Sequence, residues 1–431
     1  MRILFSNITT MNEMGVTTPM QYVTVDGTTI TYIGNEKPEG TFDRIIDGKD
    51  RLLMPALYNC HTHAAMTLFR GYGEDLPLQS WLFDRIFPAE DRLTAKSVYD
   101  ASLLACAEML RNGIVSFTDM YFFCDETAKA VIECGMKANL SRALQSFDMS
   151  VTKENDHRFH EAAALYRDWH NAADGRIKID MAIHAEYTMM KPEVCIYATE
   201  FALANGLGMH LHLSETEKEH LECMERRGGK TPARFFYDLG VFDARTTAAH
   251  CVWVTDEDLE IMREKGVYVA HNPVSNLKLG SGILPLSNVK KHGVNVVLGT
   301  DGAASNNRLD VMREMNTAAL LQKGRDRVCD TMRAADFIPM ATKNGADAQG
   351  RSDCGRLQAG CRADLIILDL DAHNNIPMYD PCATVLYSAT ANDVCMTMVD
   401  GRILYENGAF TTLDMEKVKY NMKDTVAHYF D

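Results

Sequence analysis

Short apolar runs that alternate with helical stretches occupy residues 55 to 349, and this feature constrains the fold more than any other. GIVSFTDM precedes ETAKAVIECGMKA, IKIDMAIHAEY precedes PEVCIYATEFALANG, and LGMHLHLSE precedes a stretch with helical spacing that begins near Thr216. TTAAHCV, GVYVAHNP and NVVLGTDG continue the series. Repeated strand–helix alternation predicts parallel strands, and eight such units close a barrel. We therefore predict an α/β fold whose central domain is a (β/α)8 barrel.

The two ends of the chain are typical of β structure. QYVTVDGTTITYIG has two β-rich runs around Asp26-Gly27, and VCMTMVDGRILYENGAF has two around Asp400-Gly401, both of which are hairpin signals. Each end is too short to bury a core alone, so we expect residues 1–54 and 350–431 to pair in one small β-sandwich beside a barrel of residues 55–349. The tail TLDMEKVKYNMKDTVAHYF has the spacing of a terminal helix.

Charge and cysteine usage exclude several classes of protein. The chain has 44 basic and 59 acidic residues, a formal net charge of −15, which is unsuited to binding nucleic acid or an anionic membrane. The twelve cysteines contain no CxxC pair, as expected of reduced, mostly buried thiols in a cytoplasmic protein. The N-terminus lacks a signal-peptide pattern, and no apolar run reaches the roughly 20 residues of a membrane span. The sequence leaves open whether the chain forms a homo-oligomer.

Histidine and aspartate stand at the carboxyl ends of five predicted strands. His61 and His63 follow MPALYNC, a second HxH pair ends GMHLH at His212, and His250, His271 and Asp301 end three further runs. An isolated HxH is frequent by chance, and a lone histidine is more often structural. The carboxyl ends of barrel strands converge on one face, however, so five such ends predict a metal site there.

Other catalytic signatures are absent from the sequence. His184-Ala185-Glu186 matches half of the cytidine-deaminase zinc signature, but the required PCxxC is missing, since Val follows Pro381-Cys382 at position 385. GxxxxGK[ST], GxSxG and HExxH are also absent.

Across nearly its whole length the sequence resembles the amidohydrolase superfamily. The resemblance lies in PALYNCHTHAAMTLFRGYGEDLPLQSWL, HLHLSETEKE, AAHCVWV, AHNPVSNLKLGSG, LGTDGAASNN and GCRADLIILD, which are most similar to 5′-methylthioadenosine/S-adenosylhomocysteine deaminases. It implies one divalent metal ion held by three histidines and one aspartate, with His210 as a neighbour. These donors suit Zn²⁺, with Fe²⁺ as the alternative. The implied ligands are His61, His63, His212 and Asp301.

The resemblance also implies the catalytic groups of a hydrolytic deaminase. Asp301 would take a proton from the attacking water, and Glu215 would protonate the ring nitrogen beside the attacked carbon. His250 would hydrogen-bond to the attacking oxygen and to the negative charge that develops on it. The ordinary alternatives are an acid in the first turn of a helix for Glu215 and a turn residue for Asp301.

Substrate contacts follow from the same resemblance. Trp81 would line the nucleoside pocket, Glu90 would accept hydrogen bonds from the ribose hydroxyls, and His184, like Glu215, would contact the substrate. Core packing for Trp81 and a solvated helix acid for Glu90 remain alternatives. Glu186 replaces the proline that usually follows the family's histidine motif, which leaves the shape of that loop open.

Arg142 in LSRAL and Arg158 in HRFHEA correspond to arginines that can hold the amino-acid carboxylate of S-adenosylhomocysteine. The guanidinium fork suits a carboxylate, although a surface salt bridge is the ordinary alternative for each. Ser275, Asn276 and Lys278 in NPVSNLKLGSG are expected to shape the pocket rim.

The sequence therefore predicts a metal-dependent hydrolase that deaminates a small purine nucleoside: S-adenosylhomocysteine, 5′-methylthioadenosine or a related 5′-modified adenosine. The same residues leave open an aminohydrolase or chlorohydrolase of another heterocycle, such as guanine, 8-oxoguanine or a triazine. A non-catalytic assembly protein with this fold is a more distant alternative, since such a protein would be expected to have lost the candidate ligands.

Overall fold

A computed structural model describes residues 1–429, and their strands form two sheets. In chain order the strands are β1 (Arg2–Met11), β2 (Thr17–Asp26), β3 (Thr29–Gly34), β4 (Arg44–Asp47), β5 (Arg51–Pro55), β6 (Leu57–Thr62), β7 (Ile114–Tyr121), β8 (Lys137–Leu144), β9 (Ile177–Ile179), β10 (Met181–Ile183), β11 (Met209–Leu213), β12 (Thr246–His250), β13 (Tyr268–His271), β14 (Asn295–Leu298), β15 (Leu365–Asp369), β16 (Val394–Val399), β17 (Arg402–Glu406) and β18 (Ala409–Phe410).

Helices connect the barrel strands, and several begin at a threonine N-cap. Thr94, Thr216 and Thr255 each accept a hydrogen bond from a backbone N–H in the first turn, which satisfies a donor that the helix leaves free. The α-helices are Leu78–Ser80, Phe87–Glu90, Ala95–Arg111, Cys124–Cys134, His157–Trp169, Glu193–Asn205, Glu217–Arg226, Pro232–Asp238, Asp256–Glu264, Pro273–Lys278, Leu286–Lys291, Ala303–Asn306, Val311–Asp326, Ala334–Ala341, Lys343–Ala348, Pro381–Tyr387 and Met415–Tyr429. Short 3₁₀ helices cover Ala64–Phe69, Glu186–Thr188, Val241–Asp243, His373–Asn375 and Ala391–Asp393, Trp81–Ile86 is π-helical, and Ala172–Gly175 is a left-handed turn.

The second sheet is the predicted parallel barrel. Its strands follow the order β6-β7-β8-β10-β11-β12-β13-β14, and the short β9 pairs with β8. The backbone N–H of Asp301 donates to the carbonyl of His61 at 2.9 Å, which draws the chain after β14 back to β6. Residues of β7, β8, β11 and β12 are buried throughout, as expected of strands covered on both faces. The predicted α/β fold is confirmed.

The two ends of the chain share the first sheet, in the order β18-β17-β16-β15-β5-β1-β2-β3, with β4 beside β1. The ends meet in the antiparallel pair β5–β15. The N–H of Ile30 donates to the carbonyl of Cys361 at 2.9 Å, so the β2–β3 hairpin folds back onto the other half of the sheet. Apolar side chains from both halves then pack into one cluster that is separate from the barrel core.

A buried ion-pair network joins this sheet to the barrel. The ammonium of Lys137 on β8 lies 2.6 Å from a carboxylate oxygen of Asp364 and 2.8 Å from one of Asp400. The hydroxyl of Tyr58 donates to Asp364 at 2.8 Å. Because these groups are almost fully buried, the network depends on every member being present.

The terminal helix Met415–Tyr429 covers the segment that precedes Ala95–Arg111. The Tyr429 hydroxyl donates to the carbonyl of Ala89 at 2.6 Å, and the ammonium of Lys96 donates to the Thr425 hydroxyl at 2.8 Å. The helix thus supports the segment that includes Trp81 and Glu90. Within the described part of the chain, no helix has both the length and the apolar character of a membrane span.

Candidate active site

The carboxyl ends of the barrel strands bring the predicted metal ligands together. His61 lies on β6 with His63 just beyond its end, His212 lies on β11, and Asp301 follows β14. Ligand atoms of His61, His63 and His212 lie within 4.8 Å of one another, as do those of His61, His250 and Asp301. The two sets share His61, so all five side chains surround one point.

Hydrogen bonds at Nδ1 orient three of these imidazoles. The Nδ1–H of His63 donates to the carbonyl of Met120 at 2.6 Å, and that of His212 to the carbonyl of His184 at 2.7 Å. The Nδ1–H of His250 donates to Oδ1 of Asn276 at 2.7 Å. Since these acceptors cannot donate, each ring carries a proton on Nδ1, and a ring without a second proton presents its Nε2 lone pair to the site. Burial lowers the pKa of His63, but the nearby Asp301 carboxylate outweighs burial and raises the pKa to about 9, so metal binding would have to release a proton from His63.

His61 has the same orientation through a different partner. Its Nδ1 lies 2.9 Å from Nε2 of His210, whereas its buried Nε2 has no hydrogen-bond partner among the described residues. Burial lowers the pKa of His61 to about 4 and that of His212 well below its usual value, so both rings are neutral at pH 7. Neutral imidazoles with inward lone pairs beside an aspartate fit a divalent metal ion.

Asp301 is held by three donors. The hydroxyls of Ser275 and Ser305 donate to its Oδ2 at 2.6 and 2.8 Å, and the N–H of Gly302 donates to its Oδ1 at 2.8 Å. Burial raises the pKa of Asp301, but the close approach of the His61 and His63 imidazoles, 3.4 and 3.2 Å from its Oδ1, outweighs burial and keeps the pKa well below the usual value. The carboxylate is therefore ionised, and its Oδ1 faces the imidazoles.

Glu215 lies beside His250 at the end of β11. One carboxyl oxygen is 3.6 Å from Nε2 of His250, and the other accepts a hydrogen bond from the Ser281 hydroxyl at 3.0 Å. Glu219 fixes the turn that contains Glu215, because its carboxylate accepts hydrogen bonds from the backbone N–H groups of Ser214 and Glu215 at 3.1 and 2.7 Å. Burial raises the pKa of Glu215 above that of a free carboxyl group, which favours the protonated form that a proton donor needs.

A cavity of about 650 Å³ opens beside this cluster. Trp81, Glu90 and His184 line it together with His63, His212, Glu215, His250 and Asp301. Met66, Leu78, Leu82, Phe87, Phe122 and Leu279 supply much of its apolar wall. Burial raises the pKa of Glu90 to about 7. The cavity therefore has an apolar wall that suits a flat ring. It also has two glutamates, Glu90 and Glu215, in its lining.

The loop after β10, where Glu186 stands in place of proline, is fixed by an ion-pair network. The fully buried Glu186 carboxylate lies 2.6 Å from the guanidinium of Arg226 and 2.7 Å from that of Arg227. These arginines lie at the end of helix Glu217–Arg226 and just beyond it, so the loop of His184 is tied to the helix that follows Glu215.

Arg142 and Arg158 lie outside the main cavity. Arg142 lines a neighbouring recess of about 790 Å³, and the ring of Phe122 lines both spaces. The Arg142 guanidinium lies 4.8 Å from the centre of that ring, and its Nε donates to Glu161 at 2.7 Å. Nε of Arg158 is buried and lacks a hydrogen-bond partner among residues 1–429.

Several residues that support the site were not identified from the sequence. Ser281, Ser305, Glu219 and Glu161 were missed. Ser275 and Asn276 were assigned to the pocket rim, whereas they contact Asp301 and His250. A signal existed for Glu219, which stands one helical turn after Glu215 in SETEKE. Ser281 lies 66 residues from Glu215, and no local pattern links the two.

Comparisons with known proteins agree with this geometry. The model of the amidohydrolase family matches residues 52–404. A 5-methylthioadenosine/S-adenosylhomocysteine deaminase of Dictyoglomus thermophilum is 44% identical over 393 residues, 91% of this chain and 90% of that protein. A 5′-deoxyadenosine deaminase of Methanosarcina mazei is 46% identical over 396 residues, 92% of this chain and 90% of that protein. The crystal structure of an adenosine deaminase from Xanthomonas campestris with bound zinc superposes with a TM-score of 0.93 at 30% identity, covering 99% of this chain and 98% of that one.

Proposed function

The chain belongs to the amidohydrolase family, and from this premise we propose that it is a hydrolytic deaminase of adenosine-type nucleosides. Its substrate would be S-adenosylhomocysteine, 5′-methylthioadenosine or a related 5′-modified adenosine, and its products the inosine analogue and ammonia. The observation that carries the proposal is that Glu215 and Glu90 face one cavity with the imidazole cluster. Glu215 would act on the purine ring, and Glu90 would bind the ribose. Relatives that are 44 and 46% identical bear the names of such deaminases.

We assign one divalent ion, Zn²⁺, to the cluster, with His61, His63, His212 and Asp301 as its ligands and Fe²⁺ as the alternative. A divalent ion held there lowers the pKa of water towards about 7 and so makes a nucleophile available at neutral pH. The inward Nε2 atoms and the unpartnered Nε2 of His61 support this assignment. The zinc in the related adenosine deaminase structure also favours it.

The side chains around the cavity divide the proton transfers between them. Nδ1–H of His250 is committed to Asn276, so its Nε2 would accept a hydrogen bond from the attacking water. Asp301 would take one proton of the water through its Oδ1, and Glu215, whose pKa is raised, would donate its proton to the ring nitrogen beside the attacked carbon. The remaining hydroxide would add to that carbon. Asp301 would then pass its proton to the amino group, the carbon–nitrogen bond would break and ammonia would leave, and the added hydroxyl would return its proton to Glu215 as the ring carbonyl forms.

Substrate recognition would use the remaining wall of the cavity. Trp81 and the apolar side chains would contact the purine, Glu90 would accept hydrogen bonds from the two ribose hydroxyls, and His184 would contact the substrate near His212. Arg142 would face a charged 5′ extension in the neighbouring recess, and Arg158, an electrostatic neighbour of Arg142, would add positive charge nearby. An acid that accepts from vicinal hydroxyls distinguishes a nucleoside from a free base.

A location in the cytoplasm also forms part of the proposal. All twelve cysteines lie within the described residues, and all are free thiols, most of them buried. Unpaired buried cysteines are typical of a reducing compartment.

An ammonia-release assay of the zinc-loaded protein tests the function. The panel is adenosine, 5′-deoxyadenosine, 5′-methylthioadenosine, S-adenosylhomocysteine, guanine, 8-oxoguanine and a chlorotriazine. We expect turnover of the adenosines alone, whereas turnover confined to the free bases or the triazine would overturn the proposal.

Glu215→Gln tests the assigned proton transfer. It should keep the metal and lose about 10²–10⁴-fold in kcat, the usual contribution of a general acid. Glu217→Gln, an exposed acid in the next helical turn, is the matched control. A fully active Glu215→Gln enzyme would contradict the role of Glu215.

A further inference from the structure

The guanidinium of Arg142 is already engaged by protein groups. Nε donates to a carboxylate oxygen of Glu161 at 2.7 Å, and Nη1 donates to the carbonyl of Ala143 at 3.0 Å. A guanidinium binds a carboxylate with two parallel hydrogen bonds through one of two edges, one of which includes Nε and the other both Nη atoms. Glu161 takes Nε and so occupies the first edge, whereas Ala143 accepts from Nη1 alone. A second carboxylate can therefore use the edge that includes Nε only if Glu161 is displaced.

The two partners differ in how easily they are displaced. The carbonyl of Ala143 belongs to strand β8 and is fixed by the barrel. The Glu161 side chain lies on the helix His157–Trp169 and is 53% exposed, whereas that of Arg142 is 10% exposed. Glu161 can therefore swing into solvent while Arg142 stays in place. Their ion pair is only partly shielded from water, and such pairs are weak.

The charged groups around the Arg142–Glu161 ion pair make it the place where a charged 5′ substituent of a nucleoside would bind. Burial and the positive charge of Arg142 both lower the pKa of Arg158, so the two guanidiniums are electrostatic neighbours. Asp156, the other acid near Arg158, is buried and receives the Tyr197 hydroxyl and the first N–H groups of the helix. Glu161 is consequently the half-exposed carboxylate that pairs with Arg142 in this recess, which Asp125 also lines and which shares Phe122 with the cavity.

We propose that Glu161 is a specificity-determining residue, an inference that rests on the proposed deaminase function. Glu161 occupies the edge of Arg142 that includes Nε, so a carboxylate on the 5′ extension of a nucleoside competes with Glu161 for Arg142, whereas an uncharged 5′ group does not. The chain thereby favours uncharged 5′-modified adenosines over amino-acid-bearing ones. Displacing a half-exposed ion pair changes relative rates by up to about fivefold, so Glu161 biases the choice of substrate and does not block one class.

The test compares two substrates that differ in the carboxylate. kcat/KM is measured for S-adenosylhomocysteine and for 5′-methylthioadenosine with the zinc-loaded wild type, Glu161→Gln, Glu161→Ala and the control Asp168→Asn. Asp168 lies on the same helix and pairs with the exposed Arg167, so this control removes a like charge from the helix without touching Arg142. We expect the ratio of the two kcat/KM values to rise about three- to fivefold in favour of S-adenosylhomocysteine in both Glu161 variants and to stay unchanged in Asp168→Asn.

The outcomes separate this inference from the proposed function. A ratio that stays within about 1.5-fold of wild type in both Glu161 variants, or that shifts equally in Asp168→Asn, overturns the role of Glu161 even if every protein is an active deaminase. Wild-type protein that deaminates neither nucleoside refutes the function instead. In that event calorimetry of the zinc-loaded proteins with S-adenosylhomocysteine decides the inference, since affinity has to rise in Glu161→Gln and unchanged affinity refutes it.

Discussion

The carboxylate of Glu219 holds the turn that presents Glu215, and its replacement by glutamine measures how much the reaction depends on that turn. Both oxygens are used, one by the N–H of Ser214 and one by the N–H of Glu215. Ser214 has a φ of 45°, a left-handed conformation that is unfavourable for a residue with a side chain. In Glu219→Gln, an NH₂ group replaces one acceptor and faces a backbone N–H.

The expected magnitude follows from these contacts. Burial and the neighbouring Glu215 raise the pKa of Glu219 to about 7, so the group is a carboxylate above that pH. There a hydrogen bond to the charged group contributes about 1.5–3 kcal/mol, and a buried donor that loses its acceptor costs about 1–3 kcal/mol. Glu219 is 4% exposed, so water cannot easily replace the lost acceptor. We expect the turn to lose about 2–3 kcal/mol of local stabilisation. Since a displacement of about 1 Å can cost 10²-fold in rate, kcat should fall by about 10- to 100-fold.

Steady-state ammonia release combined with metal analysis provides the assay. The metal ligands do not contact Glu219, so we expect Glu219→Gln to retain the metal content of the wild type while kcat falls and KM changes little. Glu217→Gln removes the same charge from the exposed face of the same turn and should match wild type. A kcat within about twofold of wild type would refute the positioning argument. Parallel loss of metal and activity would refute it equally, because Glu219 would then act on the whole site.

Two further predictions concern Glu90 and the barrel–sheet interface. Because burial raises the pKa of Glu90 to about 7, the group gains its negative charge as pH rises through that value. KM for 5′-methylthioadenosine should therefore fall over this pH range. An equal dependence of KM on pH in Glu90→Gln would contradict the role of Glu90 as the acceptor for the ribose hydroxyls. Lys137→Met leaves the buried carboxylates of Asp364 and Asp400 without their cation. Urea denaturation should therefore show that the free energy of unfolding falls by about 3–5 kcal/mol. The exposed control Lys129→Met should lose less than about 1 kcal/mol. Equal losses in both lysine variants would contradict the importance of the buried network.

The barrel and its functional face could be predicted because both depend on local periodicity. An apolar run followed by an amphipathic stretch defines a strand–helix unit, and the residue that ends each run must lie at the carboxyl edge of the sheet. This argument places His61, His212, His250 and Asp301 on one face without knowledge of any loop. The confirmed α/β fold and the pairing of the two chain ends follow from the same patterns and from the hairpin turns.

The supporting contacts could not be predicted because loops of different strands make them. Ser281 lies 66 residues from Glu215 in the sequence. Glu161 contacts Arg142 from a helix on which Arg167 and Asp168 are solvated, so an acid on this helix does not stand out. A serine in a glycine-rich loop or an acid on a helix has no periodic signature of its own. The partner of such a side chain depends on backbone dihedral angles, as at Ser214 and Asp301, which lie in the left-handed region.

The direction of the imidazole lone pairs depends on closure of the barrel. The Nδ1 acceptor of His63 belongs to β7, that of His212 is the carbonyl next to the end of β10, and that of His250 lies in the helix Pro273–Lys278 after β13. Each ring is therefore oriented by an element other than its own strand, and its Nε2 turns inward only when the neighbouring strand is in register. A substitution that shifts one strand would change both the tautomer and the orientation of an imidazole on the neighbouring strand. Metal affinity should accordingly be sensitive to packing at strand interfaces as well as to loss of a ligand.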